Sequence, residues 1–239
     1  MWKLLKQEIT KSKRTYLFAS ILILWLISFF WIGAGVSQAT NSQGHNMYFE
    51  NNMFITIQAF ITPLLIVLTS NELIHKELET KMYQVLNVYD VSLWKLYLIK
   101  CLYAIVLLSI LIVCQYELFV MLGIIGTTKS LTIKMLFNII LSIICMTLLQ
   151  TGLYLIMKKE STALIIGLFA SVISFFEGGL NFNWLNIFLP WTYVRFLDPI
   201  TIQPLGVVHN YWYYIMFVIV VTVCIFFYMR KKIKVQVIN

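Results

Sequence analysis

The sequence predicts an all-α integral membrane protein, built as a single transmembrane domain of six helices over residues 1–239. Hydrophobic residues make up 60% of the chain and charged residues only 12%, and the mean hydropathy is +0.84. Soluble domains carry about 25% charged residues. The apolar residues are also gathered into runs of the length that a helix needs to cross a bilayer. Six such runs leave no room for a soluble catalytic domain, so any energy source is expected on another chain.

The predicted spans follow the apolar runs in order along the chain. They cover residues 16–36, 54–70, 101–123, 135–157, 161–176 and 211–229. The first run is long enough to span and lacks a following cleavage site, so it is predicted to be a helix and not a removed signal peptide. Six spans place both termini on one side. If that side is the cytoplasm, 15 of the 18 Lys and Arg residues lie inside, which is the orientation that the positive-inside rule predicts.

The stretch before the first span predicts a helix on the inner membrane surface. Trp2, Leu5 and Ile9 fall on one helical face, and basic residues occupy the other. A basic amphipathic helix with a Trp is typical of the membrane interface. A charged flank that only orients the first span explains the pattern equally well.

Residues 71–95 gather seven formal charges between spans 2 and 3. Within this stretch, apolar side chains recur at helical spacing at Met82, Val85, Leu86 and Tyr89. They predict a short amphipathic helix whose apolar face is covered by neither lipid nor this chain's own core. A protein partner is the expected cover. The alternative is an ordinary solvated loop.

The connection between spans 5 and 6 is predicted to form short re-entrant helices. Residues 181–210 are too apolar for a free loop, and Pro190, Pro199 and Pro204 interrupt them too often for another span. Irregular backbone at membrane depth must pack against protein or line a cavity. We therefore expect short helices that enter the outer leaflet and turn back.

Polar residues inside apolar runs are costly and usually face the bundle or a watery path. Gln115, Gln150 and Glu117 are such residues. Glu117 could contact a cationic substrate, although solvation at the outer headgroups is the favoured explanation. The stretch 123–130, GIIGTTKS, superficially matches a phosphate-binding loop but has Thr128 where that loop needs Gly before its Lys.

Other kinds of site are not predicted. The four cysteines lie in apolar runs and the three histidines are scattered, so neither disulfides nor a metal site are expected. The charges flank apolar runs and form no basic surface for nucleic acid. No nucleophile is paired with a base, which argues against a membrane hydrolase.

These features together resemble the permease subunit of ABC-2-type exporters. In that family the loop after span 2 carries a Glu, a Thr, a Leu-Leu pair, a Pro-Val-Ser-Arg group and a Lys that enters span 3. The matching residues here are Glu77, Thr80, Val85, Leu86, Val91, Ser92 and Lys100, and the departures are Glu79, Asp90 and Leu93. Leu189–Tyr193, which reads LPWTY, is similar to an element before the last span of permeases for lantibiotic self-immunity.

The resemblance implies a mechanism and a set of partners. A separate ATPase dimer, which binds ATP and Mg²⁺, would move the coupling helix between spans 2 and 3. The chain itself would be no enzyme and would bind no cofactor. It would pair with a second permease, either another copy or a different subunit, in a bacterial plasma membrane. The substrate would be a cationic amphipathic peptide expelled from the bilayer.

The residue patterns and the resemblance together give the candidate site residues. The ATPase-coupling interface would contain Glu77, Thr80, Met82, Val85, Leu86, Tyr89 and Ser92. The substrate or re-entrant region would contain Glu117, Glu177, Phe188, Pro190, Trp191, Tyr193 and Arg195. Its aromatic residues equally suit an interfacial belt.

Three alternatives to peptide immunity are considered. The same fold could export another amphipathic peptide, a toxin or a drug, or the chain could be a membrane sensor or scaffold without transport. A secondary transporter is less expected, because the sequence contains no paired inverted repeats with interrupted helices.

Overall fold

The computed structural model describes residues 10, 17–43, 46–79, 92–157, 160–180, 189–197 and 211–238. Every regular element within these residues is helical. In chain order the elements are α1 (Leu17–Gln43), α2 (Met47–Glu79), α3 (Leu93–Met121), α4 (Lys129–Met157), α5 (Glu160–Leu180), a 3₁₀ turn (Pro190–Thr192), α6 (Tyr193–Phe196) and α7 (Tyr211–Ile238). The prediction of an all-helical protein is confirmed for this part of the chain.

Five helices are long and apolar enough to cross a membrane. Their apolar portions are Leu17–Gln38, Met47–Ile74, Leu93–Met121, Lys129–Met157 and Tyr213–Ile233. The apolar part of α5, Ser161–Phe176, is shorter. A membrane-embedded bundle is therefore supported, and α5 as a sixth span stays a prediction.

Several helices extend beyond the predicted spans. The run predicted at residues 54–70 is only the middle of the 33-residue helix α2. Helix α3 begins at Leu93 and not at residue 101, because Ser92 has an extended backbone and its side chain accepts a hydrogen bond from the Lys95 N–H, which is the usual N-cap arrangement. Hydropathy locates the apolar centre of a helix, whereas capping and polar contacts decide where it ends.

Helix α2 is the centre of the bundle. It packs against α1, α3, α4, α5, the 3₁₀ turn and α6. In the most apolar part of α2, 72% of the residues are buried, whereas the corresponding parts of α1 and α7 have 22% and 17% of their residues buried. Phe54, Ile66 and Val67 on α2 are fully buried. Helices α1 and α7 therefore lie at the periphery and α2 lies inside.

The outer surface of the bundle is apolar. Phe30 on α1 is 71% exposed, Ile133 on α4 is 69% exposed and Phe169 on α5 is 67% exposed. Exposed apolar surface on this scale indicates contact with lipid or protein, because water would penalise it. The pattern agrees with a bilayer as the surrounding solvent.

The two ends of the bundle differ in character. Leu17, Glu79, Leu93 and Met157 lie at one end, which we call the basic end because most Lys and Arg residues of the chain flank it. The opposite end, called the far end, contains the connection between α3 and α4. The positive-inside rule predicts that the basic end is cytoplasmic. Of the predicted N-terminal helix, Thr10 is helical and exposed, while Trp2, Leu5 and Ile9 lie outside the described residues.

Candidate functional site

The charged stretch between α2 and α3 is described only at its two borders. Thr80, Met82, Val85, Leu86 and Tyr89 lie outside the described residues. Glu77 belongs to the last turns of α2. Ser92 is the N-cap of α3. A predicted coupling residue therefore also has a local role, since it fixes where the chain returns to helix.

Lys100 joins the two helices that border this stretch. Its side chain is 1% exposed, and its ammonium group donates a hydrogen bond to the backbone carbonyl of Leu73 on α2. A buried ammonium group is costly unless protein groups replace its water. In the sequence Lys100 was identified only as part of a motif. That its side chain is buried between α2 and α3 could not be predicted from the sequence.

Helix α4 is tied to the same end of α2 and α3. The Tyr97 hydroxyl donates to the Leu148 carbonyl at 2.7 Å, and the hydroxyls of Ser70 and Thr151 are 3.1 Å apart. These bonds lie inside an apolar environment, where losing a partner leaves an unsatisfied polar group. The basic ends of α2, α3 and α4 therefore form one connected unit.

A chain of polar side chains crosses the interior between α1, α2 and α3. Thr62 donates to the amide oxygen of Gln58 at 3.0 Å, Gln58 Nε2 donates to Gln115 Oε1 at 3.0 Å, and Gln115 Nε2 donates to Ser28 Oγ at 2.9 Å. Ser28 in turn donates to the Trp25 carbonyl. Each of these donor groups therefore has a hydrogen-bond acceptor in the next residue of this hydrogen-bonded chain. Gln115 thus has a structural explanation that does not involve substrate.

Helix α5 meets α2 and α4 through a face of small residues. Its buried residues on this face are Ala163, Gly167, Ala170, Ser171 and Ser174. Gln150 Nε2 on α4 donates to the Ala163 carbonyl at 2.9 Å and lies 2.7 Å from where a side-chain carbon on Gly167 would be. The same carbon would collide with Val67 of α2. Glycine is therefore required for this close approach of three helices.

Two buried oxygens beside this face have no hydrogen-bond partner among the residues that the structure describes. They are Thr147 Oγ1 and Gln150 Oε1, both on fully buried residues of α4. Residues three apart lie on the same helix face, so the two oxygens belong to one region. Unpaired buried polar atoms cost stability, and their presence here needs a reason that packing does not supply.

Residues 122–128 connect α3 to α4 and are held in place by α2. The Glu50 carboxylate accepts a hydrogen bond from Gly126 N–H at 2.7 Å, and the Asn51 amide donates to the Gly126 carbonyl at 2.8 Å. Tyr116 donates to Asn51 Oδ1 at 2.9 Å. Both backbone groups of Gly126 are thus occupied by α2. This arrangement explains the polar start of α2, which the hydropathy pattern placed outside the span.

The segment with the LPWTY element packs inside the bundle. Trp191 is 6% exposed and Tyr193 is fully buried. The Ser174 hydroxyl lies within hydrogen-bond distance of the carbonyls of Trp191, at 2.8 Å, and Ala59, at 2.9 Å. Asn138 donates to the Leu197 carbonyl at 2.5 Å. Within residues 189–197 the structure has a 3₁₀ turn and a four-residue helix, anchored by side chains of α4 and α5; re-entry into the outer leaflet stays a prediction.

Of the predicted substrate residues, the structure describes the side chains of Glu117, Pro190, Trp191, Tyr193 and Arg195. Trp191 and Tyr193 face the protein interior, and burial raises the pKa of the Tyr193 phenol well above its ordinary value, so it stays neutral. Pro190 begins the 3₁₀ turn. Arg195 and Glu117 are half-buried. Phe188 and the side chain of Glu177 lie outside the described residues.

Side chains that could bind a metal ion are not grouped together in the described part of the chain. No group of three or more His, Cys, Asp or Glu side chains there could hold a metal ion. The four cysteines are free thiols, with Cys101 and Cys145 buried and Cys114 and Cys224 exposed on the apolar surface.

Comparison with known proteins gives no relative. No protein-family model, no curated protein and no solved structure matches the chain.

Proposed function

We propose that this chain is the membrane-spanning permease subunit of an ATP-driven exporter of the ABC-2 type, moved by a separate ATPase that binds the stretch from Glu77 to Ser92. One observation carries the proposal: the central helix of the bundle, α2, leads directly into that charged stretch. A partner that displaces the stretch displaces the helix on which nearly all the other elements pack.

The contacts at the basic end support transmission of such a movement. Lys100 ties α3 to the Leu73 carbonyl of α2, and Tyr97 ties α3 to α4. Because of these bonds, a displacement of the charged stretch would move α2, α3 and α4 together. Packed elements that respond in this way have discrete alternative arrangements instead of deforming gradually.

The movement would reach the segment between α5 and α7. Ala59 of α2 and Trp191 share the Ser174 hydroxyl of α5, so α2, α5 and the 3₁₀ turn meet at one side chain. Gln150 contacts the same α5 face, and its Oε1 and the Thr147 Oγ1 have no hydrogen-bond partner among the described residues. A state in which α5 moves away and these oxygens gain water or substrate as partners would explain why they are retained.

The cargo and the partners follow from the resemblance. The ATPase would bind ATP and Mg²⁺, and a second permease would complete the complex. The substrate would be a lantibiotic-like cationic peptide, or otherwise another amphipathic peptide, toxin or drug, expelled across a bacterial plasma membrane.

Co-purification tests the proposal. The chain is isolated in mild detergent from its native membrane, and the retained proteins are identified by mass spectrometry. We expect an ATPase with the wild type, and its loss with Val85→Asp together with Leu86→Asp, because charge on the apolar face would disrupt docking. The control is Thr128→Asp with Ser130→Asp, which adds the same charge at exposed positions of the far end.

Two results would overturn the proposal. An ATPase retained equally by both double variants would place docking elsewhere. A retained regulator without a nucleotide-binding fold would instead support the sensor or scaffold.

A further inference from the structure

An aromatic contact joins α3 and α7 at the basic end. The Trp94 and Phe226 rings meet edge to face with centroids 5.1 Å apart, and Trp94 also stacks on Tyr97 at 5.1 Å. Trp is favoured where an apolar body meets a polar headgroup layer. This contact therefore marks the headgroup level at which α3 and α7 adjoin.

Apolar side chains continue from this contact toward the far end on both helices, and we call the strip between them the groove. On α3 it is bordered by Leu98 and by Leu102, which is 50% exposed. On α7 it is bordered by Val223 and Phe227, which are 47% and 57% exposed. Leu98 and Leu102 are four residues apart, as are Val223 and Phe227, so each pair follows one helix face. These four side chains are apolar and cover about 6 Å along each helix, so they suit the part of an acyl chain next to the headgroup.

Two exposed cations flank the same contact. Lys95 follows Trp94 on α3, and Arg230 lies one helical turn after Phe226 on α7. Residues four apart lie on one flank of a helix, so Arg230 is directed to the side of α7 that meets α3. Lys231 and Lys232 follow Arg230 in the sequence, and the Lys232 ammonium lies 5.9 Å from the centroid of the Tyr228 ring.

Acidic groups on these two helices are distant. Helix α7 contains none, and the only acidic residue of α3 is Glu117. Glu117 lies 22 residues after Lys95, about 33 Å along the helix. The site is therefore a cationic headgroup position at the mouth of an apolar groove, without a carboxylate on α3 or α7 to neutralise it.

We propose that this site binds an anionic phospholipid. The phosphate lies between Lys95 and Arg230, Trp94 lies at the level of the glycerol, and one acyl chain follows the groove past Leu102 and Phe227. Basic pockets between transmembrane helices have the chemistry that holds such headgroups. The inference stands on the α3–α7 contact and does not depend on the proposed function.

Native mass spectrometry tests the site on the full chain. The protein is reconstituted in nanodiscs that contain phosphatidylglycerol and phosphatidylcholine in equal amounts, and the lipids that stay bound after release are counted. We expect the wild type to retain phosphatidylglycerol in preference. Lys95→Gln with Arg230→Gln should weaken this retention by about fivefold for each charge removed.

Matched variants separate a built site from diffuse attraction. Lys129→Gln with Lys134→Gln removes the same charge from exposed positions outside the groove and should retain phosphatidylglycerol like the wild type. Trp94→Leu keeps both cations and should still reduce retention. Equal loss with both glutamine pairs, or no preference for phosphatidylglycerol in the wild type, would overturn the proposal.

Discussion

The ammonium group of Lys100 donates a hydrogen bond to the backbone carbonyl of Leu73 inside the bundle. This bond joins the end of α2 to the start of α3, the two helices between which the charged stretch lies. A cation inside an apolar bundle is costly, and this hydrogen bond offsets part of that cost. In the proposed mechanism it makes the two helices move together.

Lys100→Met should separate coupling from folding. Methionine has a similar length and removes the tie without leaving an unpaired buried charge, so the melting temperature should change little. Coupling through packed elements is typically worth 1–3 kcal/mol, and we expect a loss of about tenfold in substrate-stimulated ATP hydrolysis by the complex. Lys134→Met, at an exposed far-end position, is the control. Wild-type stimulation in Lys100→Met would remove this bond from the mechanism.

Thr147→Val and Thr151→Val should have opposite effects on stability. The two residues lie one turn apart on α4, and both changes keep the side-chain shape. The Thr147 hydroxyl has no hydrogen-bond partner in the described part of the chain, so valine should raise the free energy of unfolding by about 1 kcal/mol. Thr151 bonds to Ser70, so valine should lower it by a similar amount. Denaturant titration in detergent measures both; a loss of stability in Thr147→Val would mean that its hydroxyl is satisfied.

Three glycine-to-alanine changes should rank in a definite order. A side-chain carbon on Gly167 would collide with Val67, a stiff β-branched residue, whereas one on Gly152 meets only the flexible end of Met229. One on Gly35 would be 4.0 Å from Ile57, an ordinary contact. We expect Gly167→Ala to cost about 1–3 kcal/mol, Gly152→Ala to cost less, and Gly35→Ala to stabilise by about 0.5 kcal/mol. Thermal unfolding checks the order, and a neutral Gly167→Ala would contradict the close packing of α5.

Asn51→Leu should loosen the connection between α3 and α4. The change leaves the Gly126 carbonyl without its side-chain donor and removes one acceptor of the Tyr116 hydroxyl. Gly126 is exposed and Tyr116 keeps Thr127 as a partner, so the cost is that of lost hydrogen bonds, about 0.5–1.5 kcal/mol each. Hydrogen exchange should therefore rise in residues 122–128 and stay unchanged in the second half of α4. Unchanged exchange in residues 122–128 would show that Glu50 alone holds the connection.

Much of the helical architecture could be predicted from hydropathy, because each long helix has an apolar centre. The ends could not, since Glu50 and Asn51 read as loop residues until their contacts with Gly126 are seen. Lys100 was identified as part of a motif, but its burial depends on a carbonyl 27 residues away.

In the region after α5, too, the sequence predicted the kind of structure but not the contacts that hold it. Its prolines and aromatics indicated irregular packed backbone, and short helices are present. That Trp191 and Tyr193 point inward depends on anchors from Ser174 and Asn138, which no local pattern encodes. The coupling residues from Thr80 to Tyr89 stay a prediction from the sequence.

Labelling of intact cells tests most directly whether the charged stretch can meet a cytoplasmic ATPase. A membrane-impermeant amine reagent is applied before and after lysis, and modified lysines are located by mass spectrometry. We predict that Lys129 and Lys134 react in intact cells, while Lys76 and Lys81 react only after lysis. Modification of Lys76 and Lys81 in intact cells would place the stretch outside and contradict the mechanism.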